Sequence, residues 1–266
     1  MILDEKYLKE KKSWFREYLR QFGSLDKDVQ AAFSLKAQHS LRVCDLAEEL
    51  APFIFSDSQD VILAAYIGLI HDIGRFEQYH TYGSFADRDT VDHAWLAQQV
   101  LSRLKVLQDF DSNTIDLINF AILNHNRYSI ENHSDPRFII FAQFLRDVDK
   151  IDIFYFVHIH YQQDAIGQGK KVVLDLPDLP RINPAVMAAI MEERQVAIKD
   201  LRTLNDFKLL QIGWVYDINF VVALKVIHEK KYLDTIFRVL PDTAAVRDIC
   251  KKINHDITVR LDETKP

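Results

Sequence analysis

Apolar residues recur along this chain at the three- and four-residue spacing of one helix face almost throughout, rather than with the alternation of a half-buried strand. Only seven glycines and seven prolines punctuate 266 residues, too few for a hairpin-rich fold. The expected class is therefore all-α, a multi-helix bundle joined by short connections. The pattern predicts helices over 35–50, 59–71, 92–106, 114–124, 137–158 and 183–201, with at least three more between 207 and 260. Ser56 and Ser58 stand where the cap of the second helix is expected, and Asp135-Pro136 marks the start of the fifth. The stretch 162–181 mixes glycines, prolines and a short β-branched run, and reads as a surface connection, or else as a lid or partner-facing insertion.

With 48% hydrophobic residues the chain can bury a substantial core, and one domain over 1–266 is expected. A net charge of -6 gives no reason to expect a nucleic-acid partner, while a small anionic ligand stays compatible with a local basic pocket. Cys44 and Cys250 fit neither a disulfide framework nor a metal-ligand spacing. No apolar run approaches the roughly 20 residues of a membrane span, and the N-terminal segment has no signal-peptide core. A cytoplasmic protein without a membrane partner is the expectation.

The chemistry concentrates in the histidines. Leu69–Arg75, LIHDIGR, ends a strongly apolar helix on His71-Asp72, and His39, His71, His93 and His125 fall on or at the ends of four successive predicted helices. Asp147, Asp149 and Asp152 then interrupt the very apolar FLRDVDKIDIF. Carboxylates in such a helix need partners, because a buried unpaired charge neutralises instead. A metal is one such partner. His39, His71, Asp72, His93, His125 and Asp149 offer four imidazoles and two carboxylates, a set suited to iron, manganese, nickel or zinc rather than calcium.

This order of residues resembles the HD superfamily of metal-dependent phosphohydrolases: an isolated histidine (His39), the doublet (His71, Asp72), two further histidines (His93, His125), and an aspartate before lysine in an apolar helix (Asp149-Lys150). The resemblance spans roughly 35–156 and implies an HD-type helical bundle with its metal-binding core there and additional C-terminal helices over about 183–266. It favours Asp149 over Asp147 as ligand. In the simplest members of the family the corresponding residues, His39, His71, Asp72 and Asp149, hold one metal. Where both intermediate histidines are present, the pattern implies a second metal held by His93, His125 and a bridging Asp72. One or two divalent transition metals are therefore expected.

The resemblance implies hydrolysis of a phosphomonoester or phosphodiester of a nucleotide-like small molecule by a metal-activated hydroxide. Asp72, Arg75 and Lys150 are then the catalytic candidates, and Arg42, Arg75, Arg127 and Lys150 the candidates for holding the phosphorylated substrate. Arg42 follows His39 by three positions, and Arg75 follows His71 by four if that helix continues. Asp152 is read as an acceptor orienting a ligand histidine, and the loop histidines His80 and His133 as proton donors to the leaving group. The same ligands also suit an HD-type diiron oxygenase, or a non-catalytic metal-binding sensor. Met187 and Met191 read as core packing, Asp217 as a buried hydrogen-bond acceptor, and the C-terminal helices are compatible with a homodimer interface.

Overall fold

The computed structural model describes residues 2–165 and 176–263. Among them there are helices and turns and no strand, so the fold is all-α. The chain divides into two compact units, Met1–Asp149 and Lys150–Pro266, where the sequence reads as a single domain. The boundary falls inside one long helix, and hydropathy alone carries no mark of it.

The first unit is built on α1 (Glu5–Leu19), α2 (Lys27–Leu50), α3 (Ser58–Ile70), α4 (Gly74–Tyr82), α5 (His93–Arg103), α6 (Ser112–His125) and the first part of α7 (Pro136–Ala165). Aspartates set the starts of five of them. The side chains of Asp4, Asp26, Asp57, Asp92 and Asp111 accept hydrogen bonds from first-turn amides of α1, α2, α3, α5 and α6, which otherwise lack partners. Asp57 takes the role expected of Ser56 or Ser58. Pro136 opens α7 as the first helical residue, where its missing N–H costs nothing.

Helix α3 is the axis of this unit, with every residue from Ile62 to Ile70 buried. A helix apolar on all sides has to be surrounded, and its tightest neighbour is α2. A Cβ on Gly68 would meet the Val43 carbonyl oxygen at 3.2 Å, so glycine lets the two backbones approach. Phe15, Tyr18, Phe22, Phe33 and Phe76 form an aromatic cluster between α1, α2 and α4.

The reading of the helices needs four corrections. Helix α2 begins eight residues before the predicted start, because Asp26 caps it and 27–34 is too polar to show a clear stripe. Helices α1 and α4 were not expected at all. The predicted helix over 183–201 stops at Met191, where the chain turns through Glu193 at φ 58°.

The second unit comprises the rest of α7 with α8 (Pro184–Met191), α9 (Leu204–Gly213), α10 (Val221–Glu229), α11 (Tyr232–Arg238) and α12 (Ala244–Asp262). Thr203 and Asp206 cap α9 reciprocally, each side chain accepting from the other's backbone N–H. Val246, Ile249, Ile253 and Ile257 make the buried stripe of α12. Met187 is partly exposed and Met191 half exposed at the end of α8, so neither is a fully enclosed core residue. Cys44 and Cys250 are free thiols. Of the stretch 162–181, residues 166–175 lie outside the described residues. No described helix is long and apolar enough to cross a membrane.

Candidate metal centre

Four helices of the first unit deliver histidines to one place. His39 sits in the middle of α2 and His71 on the residue that ends α3, where its backbone N–H donates to the Ile67 carbonyl at 2.9 Å. His93 is the first residue of α5 and His125 the last of α6. The rings stand in a chain of edge-to-face pairs, with centroids 5.3 Å apart for His39 and His71, 5.1 Å for His71 and His125, and 4.9 Å for His93 and His125. Asp72 lies in the turn between α3 and α4, and Asp149 comes from α7. All six residues are buried.

Asp72 sits at the centre, and its two oxygens face different partners. Oδ2 lies 3.6 Å from His39 Nε2 and 3.9 Å from His71 Nε2, while Oδ1 lies 3.3 Å from His93 Nε2 and 3.8 Å from His125 Nε2. Asp149 Oδ1 stands 3.1 Å from His39 Nε2 and 3.7 Å from His71 Nε2. Three overlapping groups follow, each with ligand atoms within 4.8 Å of one another: His39, His71 and Asp72; His71, His125 and Asp149; Asp72, His93 and His125. Asp147 joins no such group among the described residues, and neither does Asp152.

Hydrogen bonding fixes which ring nitrogen is available. His71 Nδ1 donates to the Gly68 carbonyl at 2.8 Å and His125 Nδ1 to the Ile122 carbonyl at 2.6 Å, each one turn back along its own helix. His93 Nδ1 is 2.6 Å from Asp87 Oδ2, an acceptor in the neutral-ring state. In its neutral form each of these rings turns the lone pair of Nε2 inward. His93 Nε2 and His125 Nε2 are 2.9 Å apart, so two lone pairs would face each other unless a cation lies between them. His71 Nε2 and Asp72 Oδ1 are buried without a hydrogen-bond partner. Such atoms are costly to leave unsatisfied. The donor set thus fits a divalent transition metal on two counts: neutral imidazole with carboxylate, and orphaned acceptors converging on one point.

Charge states agree with that use. Burial pushes the carboxyl of Asp72 upward, but Lys36, His71, His125 and Arg75 outweigh it and hold the group well below the usual range. Burial likewise opposes the ionised form of Asp149, and His39 and His71 bring it well below. His93 is lowered to about 4, first by burial, with Asp87 and Asp72 opposing the shift. It stays neutral at physiological pH, the form that binds metal.

The cations expected around the site have differing surroundings. Arg75 belongs to α4 rather than to a continuing α3, because the chain breaks at the doublet. Its Nη1 donates to Gln78 Oε1 at 3.0 Å, the Phe85 carbonyl at 2.6 Å and Asp87 Oδ1 at 2.8 Å, and its Nε lies 3.5 Å from Asp72 Oδ1. Lys150, in the second unit, is ion-paired with Asp217 at 2.6 Å, which gives its ammonium a task other than the expected phosphate contact. Asp217 is thereby a salt-bridge partner rather than a simple acceptor. Arg127 is nearly half exposed, with Nε donating to the Leu123 carbonyl at 3.1 Å. Arg42 is half-buried on α2, one turn beyond His39.

His80 packs its ring edge against Phe22, and His133 stacks on Phe138 at 3.9 Å; neither enters the groups above. The sequence reading missed two residues. Lys36 Nζ lies 2.8 Å from Asp72 Oδ2, and its place three residues before His39 on the same helix was the available signal. Asp87 sits in a connection with no periodicity, and no local signal marks it.

No curated protein and no solved structure matched the chain. Residues 37–153 match the family model of the HD domain, which covers all six residues of the cluster. The match supports, over this stretch of the chain, the resemblance to the HD-domain superfamily of metal-dependent phosphohydrolases.

Proposed function

We propose that this chain hydrolyses a phosphomonoester or phosphodiester of a nucleotide-like small molecule, using a centre that holds two divalent metals. The observation that carries the reading is the split of Asp72, whose Oδ2 faces His39 and His71 while Oδ1 faces His93 and His125. A carboxylate so placed serves both halves of a binuclear centre. His39, His71 and Asp149 would complete one half, and His93 and His125 the other. Bound there, the metals supply a nucleophilic water at neutral pH and positive charge for phosphate oxygens.

The residues of the chain supply the rest. The backbone acceptors of His71 and His125, and the carboxylate of Asp87, hold the rings in the tautomer that presents Nε2. Arg75 fixes the second half by bonding Asp87 and lying beside Asp72. Lys36 and Arg42 flank His39 on α2 at helical spacing and are the cations proposed for the substrate phosphate. Lys36 is one-fifth exposed and also lies 5.8 Å from the Phe85 ring, so it can leave Asp72 for an anion without losing all its contacts.

The test is element analysis of the purified full-length chain, followed by phosphate release from a panel of phosphomonoesters and phosphodiesters with manganese, iron, nickel or zinc. Metal-dependent release that is abolished in Asp72→Ala is expected. A folded wild-type protein that takes up none of the four metals refutes the reading, and iron-dependent oxygen consumption without phosphate release replaces it by an oxygenase.

A further inference from the structure

Three histidines of the cluster, His71, His93 and His125, differ in what holds their Nδ1. His71 and His125 are each oriented by a carbonyl of their own helix, but His93 is oriented by a carboxylate from the connection between α4 and α5. That carboxylate is itself clamped. Asp87 Oδ1 accepts from Arg75 Nη1 and from Gln78 Nε2, both at 2.8 Å, and Oδ2 accepts from His93. Gln78 is fully buried, and its Nε2 lies 2.8 Å from Thr90 Oγ1 and from the Val91 carbonyl as well. Arg75 binds the Phe85 carbonyl, so two side chains of α4 grip the connection at Phe85, Asp87, Thr90 and Val91.

Asp87 and Asp92 also gather around His93 closely enough to resemble a fourth metal group. Their oxygens have other partners. Asp92 Oδ1 caps α5 and accepts from Asn126 Nδ2 at 3.0 Å, while Asp87 is saturated by Arg75, Gln78 and His93. The arrangement is a clasp on a ligand rather than a further ion site.

We infer that Asp87 is the positioning residue for His93, and that the clasp joining it to Arg75 and Gln78 determines whether the centre holds one metal or two. The inference rests on the binuclear reading above. A carboxylate accepting from Nδ1 fixes the ring and raises the basicity of Nε2, and loss of such a partner typically weakens metal binding by about 10- to 100-fold. The half containing His93 should feel that loss, because Asp87 bonds the Nδ1 of that ligand directly.

The test is equilibrium dialysis of full-length wild type, Asp87→Asn, Asp87→Glu and Gln78→Met against manganese, with bound metal counted by element analysis and the cobalt-substituted proteins compared by visible absorption. Wild type should bind two ions. Asp87→Asn should keep one at wild-type affinity and bind the other about 10- to 100-fold more weakly, with the corresponding cobalt bands lost, and Asp87→Glu should regain part of the difference. Gln78→Met, which leaves both His93 and Asp87 in place, should weaken the same ion to a smaller degree and carries the test if Asp87→Asn does not fold. Two ions at unchanged affinity in the folded Asp87→Asn protein, or in Gln78→Met should the former not fold, overturn the inference. A wild type that binds no metal instead refutes the reading on which it rests.

Discussion

The two halves of the cluster around Asp72 are held by different kinds of structure. His39 and Asp149 project from the interiors of α2 and α7, and His71 ends α3, which is buried from Ile62 to Ile70, so their positions are set by helix packing in the core. His93 and His125 occupy the first residue of α5 and the last of α6, and His93 takes its orientation from Asp87 in a connection. A centre of this kind joins a half as rigid as the core to a half as rigid as one polar clasp. Local stability differs in the same way, since connections open more readily than core helices.

The strongest way to break the comparison is to remove one ligand from each half. His71→Ala should take out the core half and with it most of the bound metal, whereas His93→Ala should leave about one ion per chain. Element analysis distinguishes the two, and equal losses would mean that the His93 half does not depend on the core half.

A smaller effect is expected at Gly74, where a Cβ would stand 2.3 Å from the His93 carbonyl oxygen and 2.6 Å from the Ala97 amide nitrogen. These are backbone atoms and cannot swing aside. Gly74→Ala should cost about 3 kcal/mol, the upper part of the range for overpacking, and should weaken metal binding at the His93 half more than at the other. Chemical denaturation together with metal titration measures both.

Lys36→Met sharpens the core half. In the metal-free protein it leaves the buried Asp72 without its ammonium partner at 2.8 Å, which should lower stability by about 1–2 kcal/mol, less than for a fully buried pair. Bound metal replaces that charge. The rise in thermal midpoint on adding manganese should therefore be larger in Lys36→Met than in wild type.

The smallest effect is a pH dependence of the metal-free protein. His93 is depressed to about 4 in the folded state against an ordinary 6.5, so the unfolded chain takes up this proton first. Stability from this group is intact above pH 6.5 and is lost as pH falls from there toward about 4. Denaturation midpoints across that window should fall more steeply in wild type than in His93→Gln.

Much of this site was legible before any coordinates. The ligand candidates stood out because imidazoles and carboxylates are rare against an apolar helical background, and His39, His71, Asp72, His93, His125 and Asp149 do converge in space. Lys36 was within reach, since helical spacing places it one turn from His39. Arg75 was recognised as close to the doublet, but its role depends on the break between α3 and α4, and hydropathy does not show where a helix restarts at a new angle. Asp87 left no trace, because a side chain in an irregular connection acts through where the connection is folded rather than through periodicity.

By itself the sequence determined the helical class, the order of the six candidate ligands and the chemistry their donor atoms can support. These depend on composition and on spacing along a helix, which are local quantities. Only the tertiary structure decided that one carboxylate faces two histidine pairs, that Lys150 answers to Asp217, and that His93 is held by Asp87. Each of these is a contact between side chains brought together by packing, and helix periodicity places a residue on a face without naming what that face will meet.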